Sequence, residues 1–446
     1  MLRNIGSAMT KFFQRRTRIA MDRAKKKKSP FLYKSYSSKP KHKRIRKRKA
    51  QERRFKNMGF IAIVISSLFL ASLLWNVFMT GKSAFMEAQI LLPVKFDSAL
   101  VESEDYRDIV HNSLMGLFPD VVKRSNKRAL FSMVSRNTHN ELQSYIEENP
   151  QFIGTTQDVW VAASSAVSVF YKRHLYEQAE RGGKIVPAEA AWITELARAG
   201  RMELKFNAMF FKNGDSREAE QAGILASTIG SFFTILVCIV MAFPLGVATA
   251  IYLEEFAKKN WFTDFIEINI NNLAAVPSII FGLLGLSIYL NLFGLPRSSA
   301  LVGGMVLALL ILPVIVIATR NSLRAVPPSI RYAAAALGAT PTQVVFHHTL
   351  IYALPGIMTG VILSIARAFG ETAPLLMIGM VAFIADIPKT ILGPATTLPV
   401  QVYLWSNNPE LGFVEKTAAA IMVLLVLMIL INLLAIYIRK KYEIKW

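Results

Sequence analysis

Cysteine is almost missing from this chain of 446 residues: Cys238 is the only one, which excludes an intrachain disulfide and a cysteine zinc cage. It lies in an apolar run, where a small buried hydrophobe is the expected role. Charge is scarce too, at 18% of residues against 53% hydrophobic. Acidic residues are nearly absent from residues 1–57, which hold 22 Lys and Arg against 2 Asp and Glu. The other 389 residues are close to balance, so the net charge of +22 is a property of the tail. A mean hydropathy of +0.35 excludes disorder as the main theme and does not suit an ordinary soluble globule. A chain this apolar and this basic fits a membrane protein with a cationic cytoplasmic part.

Signatures of catalysis are missing as well. Neither Gly-x-Ser-x-Gly nor His-Glu-x-x-His occurs. Gly81-Lys82-Ser83 ends like a phosphate loop, but Asn76 stands where the earlier glycine belongs, and the segment follows an apolar run rather than a strand. His111, His139 and His174 are far apart and read as lone histidines. The chain is therefore expected to be no enzyme and to hold no metal or cofactor of its own.

Long apolar runs are what the chain has in abundance. A bilayer core needs about 20 apolar residues as helix. Met58–Met79 (22 residues), Ala222–Leu253 (32), Ile268–Leu295 (28), Ser298–Thr319 (22) and Thr417–Ile438 (22) carry no charge. Tyr352–Ala385 is a sixth run, of 34 residues, interrupted only by Arg367 and Glu371. The expected fold is all-α, with six transmembrane helices. The first run reads as a retained anchor, because its basic leader is long and no small-residue cleavage site follows; Arg15-Arg16 has no apolar region close behind it.

Lys and Arg collect in the tail, at Lys258-Lys259, at Arg320, Arg324 and Arg331, and at Arg439, Lys440, Lys441 and Lys445. Six spans put all of these on one side, the cytoplasm, and place 80–221, the turn near 296–298 and 386–416 outside. Both termini are then cytoplasmic. The stretch 80–221, with 17 basic and 19 acidic residues, has the composition of a soluble domain. Val159–Leu175 and Ala188–Phe211 show helical spacing, with Thr155-Thr156 and Gly182-Gly183 as punctuation, so a small extracytoplasmic domain of mixed or mainly helical type is expected. The cationic runs Lys25–Lys28 and Lys41–Lys49 sit just cytoplasmic of a span. Topology control and attraction to anionic lipid, at about 1 kcal/mol per charge near the surface, explain them better than nucleic acid does.

The loop 320–351 reads RNSLRAVPPSIRYAAAALGATPTQVVFHHTLI. Pro327-Pro328 breaks the helix leaving the membrane. An alanine-rich helix over Ile330–Leu337 ends at Gly338, and Thr340-Pro341 starts another. This is either a knob that docks into a partner's cleft or a plain helical hairpin. The stretch resembles the coupling loop of importer-type ABC transporter permeases, whose pattern is Glu-Ala-Ala, three residues, Gly, nine residues, Ile-x-Leu-Pro. Ala333, Ala334, Gly338 and Leu350 match it, while Tyr332, His348 and Ile351 depart from it. Ala353-Leu354-Pro355-Gly356-Ile357 and Ala366-Arg367-Ala368-Phe369-Gly370-Glu371-Thr372-Ala373-Pro374-Leu375 are similar to stretches of the PstA-type phosphate permeases. So are Val276-Pro277-Ser278-Ile279-Ile280-Phe281-Gly282 and Thr397-Leu398-Pro399-Val400-Gln401-Val402-Tyr403. The resemblance covers roughly 222–446 and extends more weakly to Gln51–Gly59 and the first span.

The resemblance implies the pore-forming subunit of an importer of inorganic phosphate. It also implies a homologous sister permease, two ATP-binding subunits on the cytoplasmic side that hold ATP and Mg, and a periplasmic phosphate-binding protein, with this chain in a bacterial inner membrane. Tyr332, Ala333, Ala334 and Gly338 would meet the ATPase. The substrate path would include Arg367, Glu371, Thr372 and Ser278. Independently of any family, Arg367 and Glu371 are the only charges in Tyr352–Ala385, the fifth span in chain order, and i,i+4 spacing puts them on one helix face. Charges at that depth face a bundle interior or a water-filled path; a structural ion pair is the alternative. Pro277 and Pro313 interrupt the third and fourth runs, each as a kink or as part of a cavity lining. The rival functions are a permease for another oxyanion, sulfate or molybdate, and a membrane-anchored sensor with 80–221 as its input domain.

Overall fold

A computed structural model describes residues 38–175 and 187–441, with side chains from 44 to 172 and from 187 onward. Arg15-Arg16, Lys25–Lys28, Gly182-Gly183, Lys445 and the His174 side chain lie outside the described residues. The chain forms two compact units, one ending at Ser72 and the other starting at Leu73. The described part of the first unit is one stretch of helix α1, which runs Ser38–Gly81. Its basic residues give way to apolar ones at Met58, and the pair Lys56–Glu52, 2.8 Å apart at i,i+4, supports the basic half.

In the second unit the end of α1 and a 3-10 turn over Lys82–Phe85 lead into a strand, β1 (Met86–Lys95). Ala88, Ile90, Leu92 and Val94 alternate onto one buried face, as the strand period of two requires. β1 lies between β2 (Thr156–Ala162) and β3 (Met202–Phe206), antiparallel to both, with Ile90 opposite Val161 and Ala88 opposite Leu204. Pro93 lies past the end of β3, on the stretch of β1 that has one neighbour, where a strand tolerates proline. Around the sheet stand α2 (Ser98–Glu102), α3 (Tyr106–Leu117), α4 (Arg124–Phe131), α5 (Thr138–Glu148), α6 (Ser165–Leu175), α7 (Pro187–Arg198) and α8 (Met209–Lys212). Ile109 and Leu114 of α3, Leu142 and Ile146 of α5, and Ile193 and Leu196 of α7 close a core against the sheet.

The domain is thus of the mixed kind, and two expected helices are shorter than their apolar spacing suggested. Val159–Leu175 divides into β2 and α6, because Val159-Trp160-Val161 is β-branched and aromatic and pairs with β1. Ala188–Phe211 divides into α7, β3 and α8, because Gly200 takes φ +67° and turns the chain into the sheet.

The membrane part is helical. α9 (Leu225–Ile251), α12 (Ala300–Arg324) and α15 (Leu350–Gly370) carry most of its core, and α18 (Leu411–Lys441) closes the chain. α12 is the most buried of these, with Val302, Val306, Ile311 and Ile315 inside. Small residues bring α9 against it: Gly246 abuts Ile315, and Gly304 abuts the Thr234 backbone and Val237. Between α9 and α12 lie α10 (Trp261–Ala274) and α11 (Ser278–Gly285, prolonged by a π-helical turn over Leu286–Leu292). Between α12 and α15 come α13 (Pro328–Ala336) and α14 (Pro341–Gln343, continued by a π-helical turn). α16 (Ala373–Met377) and α17 (Leu398–Ser406) follow α15.

Among the described residues, five helices are long and apolar enough to cross a membrane, or six if the bent pair α10–α11 counts as one span. That pair corrects the expected straight third span. It bends by 103° at Val276-Pro277, since Pro277 takes ψ 137° and proline disfavours helical geometry in the residue before it. Pro313 does the opposite and sits buried inside an unbroken α12. The run Tyr352–Ala385 is corrected as well. Its helix stops at Gly370, and Glu371 is already extended at ψ 124°, so the rest of the run forms α16 and the loop behind it.

Candidate functional site

Four segments meet where α15 stops. Arg367 is in the last turn of α15 rather than at its centre, with its side chain 47% exposed. Glu371 is the residue at which the chain leaves the helix, yet its Oε1 remains 3.6 Å from Arg367 Nε. The pair therefore exists, but as a loose contact beyond hydrogen-bond length and not as two residues on one helix face. Thr372 follows as the half-buried residue before α16, and its carbonyl accepts from Leu375 and Leu376 N–H. α11 packs on α16 because Gly282 lets it: a Cβ there would come within 2.8 Å of Pro374 and Met377. Ser278, half-buried, opens α11 on the far side of the bend. The three motifs around Ser278, Arg367 and Thr397, distant in sequence, are thus parts of one region.

The fourth segment is α9, which carries none of the motifs singled out in the sequence. Ser231 and Thr234 of α9 line a narrow cavity together with Ala368, Glu371, Leu375 and Thr397. Its volume, measured for the centre of a water molecule, is about 10 Å³, enough for one water. Ser231 Oγ accepts from Leu398 N–H at 2.8 Å. Thr234 Oγ1 and Thr397 Oγ1 are fully buried and have no hydrogen-bond partner among the described residues. The available signal was Ser227, Ser231 and Thr234 at i, i+4 and i+7 within an apolar run, a polar stripe on one helix face.

The 320–351 loop folds as its turn chemistry prescribes. Gly338 takes φ +87°, Gly338 N–H donates to Ala335 O (3.0 Å), and Ala339 N–H donates to Ala334 O (3.2 Å), the two bonds of a Schellman cap. Thr340 and Gln343 then cap α14 reciprocally. Tyr332, Ala333 and Gly338 are exposed, while Ala334 turns inward. The arginines first read as orientation markers are also clamps. Arg331 donates to Glu255 at 2.7 Å and to the carbonyls of Leu323 and Val326, tying α13 to the end of α12 and to the turn after α9. Arg320 bridges Glu254 (3.2 Å) and Glu267 (2.9 Å), and Arg324 adds a bond to Glu254 (2.9 Å).

A third polar cluster joins the sheet domain to the start of α18. Lys172 of α6 pairs with Glu415 at 3.0 Å, both nearly buried. Lys416 donates to the carbonyls of Glu220 (3.1 Å) and Ala222 (2.6 Å), and Glu220 accepts from Ser165 N–H (3.2 Å). Glu87 of β1 lies beside them, and burial pushes its carboxyl up to about 7 against the pull of the Lys416 and Lys172 ammonium groups. Among the described residues no group of His, Cys, Asp and Glu is placed to hold a metal ion.

Residues 242–444 match the family described as binding-protein-dependent transport system inner membrane component, and residues 42–181 match a domain of unknown function (DUF3333). The fold and its motifs define a helical permease of the ABC importer class, a non-enzymatic membrane subunit whose ATP hydrolysis takes place in separate subunits. The chain is 32% identical to the phosphate transport system permease protein PstA of Yersinia pestis over 224 residues, which are 49% of this chain and 74% of the relative. It is 36% identical over 221 residues to PstA 1 of Mycobacterium tuberculosis (strain ATCC 25618 / H37Rv), covering 49% and 70%. The probable ABC transporter permease YqgI of Bacillus subtilis (strain 168) is 31% identical over 245 residues, 51% and 81%. The chain belongs to the PstA-type phosphate transport permease family. Among solved structures it is similar to the MetNI methionine ABC transporter in inward-facing conformations, at 19% identity and TM-score 0.38, over 48% of this chain and 92% of that one.

Proposed function

We propose that this chain is the transmembrane, pore-forming subunit of an ATP-driven importer of inorganic phosphate. The observation that carries the reading is the Arg367–Glu371 contact at the broken end of α15, in a region built from the stretches that resemble phosphate permeases. Arginine offers an oxyanion two parallel hydrogen bonds from a planar fork, and a carboxylate within reach gives it a partner when no anion is present. Thr372 and Ser278, at the starts of α16 and α11, belong to the same path. ATPase and substrate-binding-protein partners go with the class. In the arrangement we favour, a sister permease completes the pore, two ATP-binding subunits carry ATP and Mg, and anionic lipid meets the basic tail. Tyr332, Ala333 and Gly338 supply the exposed surface for the ATPase, and Ala334 anchors it from behind.

In this reading the bent pair α10–α11 is a single span, which brings the total to six. Residues 1–57 and 439–446 are then cytoplasmic and 80–221 extracytoplasmic, as the distribution of Lys and Arg favours. The deciding experiment is uptake by the purified assembly in proteoliposomes offered phosphate, sulfate and molybdate. ATP-dependent accumulation of phosphate alone is the expected result; accumulation of sulfate or molybdate instead would replace the substrate.

A further inference from the structure

The cavity beside Glu371 has a chemistry that the Arg367–Glu371 pair does not use. Among the described residues, two of its hydroxyls, on Thr234 (0% exposed) and Thr397 (3%), have no partner, and a third, on Ser231, accepts from Leu398 N–H and keeps its own proton free to donate. A buried hydroxyl without a partner is costly and is normally satisfied. All three line the same cavity as Glu371, a carboxylate whose contact with Arg367 is too long for a hydrogen bond. A carboxylate accepts several hydrogen bonds, and a hydroxyl gives one.

We infer that the cavity formed by Ser231, Thr234 and Thr397 is the alternative seat of the Glu371 carboxylate, taken up when Arg367 turns from Glu371 to the transported anion. The inference rests on the phosphate-importer reading and assigns α9 and the Thr397 motif a positioning role in it. An anion that captures Arg367 leaves Glu371 without its cation at a half-buried position and close to a like charge. Hydroxyl donors accept the carboxylate there without adding a second positive charge that would hold the anion. The cavity, with room for one water, is too small for a tetrahedral oxyanion but suits one carboxylate oxygen of Glu371, a residue that lines it. Because the ligand-engaged state needs this seat, its loss is felt as weaker apparent affinity for the anion.

The test uses the full assembly in proteoliposomes and measures KM and kcat for the anion that the wild type accumulates. Thr234→Val and Thr397→Val keep the side-chain shape and remove the donors. Each is expected to raise KM by about tenfold, the worth of one hydrogen bond to a charged group, with kcat much less affected. Thr→Ser at either position should restore KM. In a Glu371→Gln background the same Val substitutions should change KM by less than about twofold, since the carboxylate they serve is gone. Val variants with wild-type KM overturn the proposal. So does a KM effect that persists undiminished in the Glu371→Gln background, which would make the hydroxyls direct donors to the anion. A wild-type assembly that accumulates sulfate and not phosphate overturns the substrate reading alone, and the cycle is then read with sulfate. If one Val variant fails to assemble with the ATPase, the other decides.

Discussion

At the scale of single residues, two side chains show how environment sets role. Arg367 stands half-exposed at the end of a helix, and an arginine is more than a positive charge there. Arg367→Lys is expected to lower phosphate uptake by about tenfold although the charge remains, and Arg367→Gln to abolish it, with ATPase co-purification confirming assembly. Glu87 is the reverse case, a carboxyl made reluctant to ionise by burial, with a folded pKa of about 7 against 4.5 for the free group. Between those values the folded protein binds a proton that the unfolded chain has released. Stability at this junction therefore falls as pH rises from 4.5 through 7, by at most about 1.4 kcal/mol per unit. Hydrogen exchange of β1 and α6 amides should accelerate from about pH 5 to about pH 8 beyond the intrinsic chemical rate, and Glu87→Gln should remove that excess.

At the scale of elements, the 320–351 loop shows how far turn chemistry alone can be read. Gly338 was legible as a helix stop, and the Schellman cap with φ +87° follows from the absence of a Cβ. Gly338→Val forces a β-branched residue into left-handed geometry, at a cost of about 1–2 kcal/mol. The expected outcome is loss of ATPase co-purification or of coupled uptake with the membrane helices still folded by circular dichroism. The arginine clamps were legible only as positive charges, because their partners Glu254, Glu255 and Glu267 belong to other elements. Arg331→Ala removes the bond to Glu255 and leaves a nearly buried carboxylate behind, worth about 2 kcal/mol to the seating of α13. We expect ATP hydrolysed per phosphate imported to rise severalfold in this variant while the ATPase stays bound.

At the scale of the whole molecule, the sheet domain is joined to α18 through buried polar contacts, Lys172–Glu415 and Lys416 to the carbonyls of 220 and 222. A domain attached in this way shares the membrane side of the α18 N-terminus. In a Cys238→Ser background, single cysteines at the exposed Ser103 and Ser125 should label from outside intact cells with an impermeant maleimide. Labelling only after permeabilisation would invert the topology.

Apolar run lengths and the placement of Lys and Arg determined by themselves that this is a multi-helix membrane chain with a polar domain after its first run, because burying backbone in lipid leaves few solutions. Local turn chemistry likewise determined the Gly338 stop and the Thr340-Pro341 start. Strand pairing was not so determined: Val159–Val161 and Met202–Phe206 become strands only because β1 supplies a partner for each. Nor could hydropathy foresee that the third run bends by 103° at Pro277 while the fourth passes through Pro313 unbroken, since proline tolerance depends on what packs around the freed carbonyl. The seat beside Glu371 is the plainest case. Ser231 and Thr234 are unremarked residues in an apolar run, Thr397 opens a distant motif, and only the packing of α9 against the Thr397 segment and the end of α15 brings all three to one cavity with Glu371.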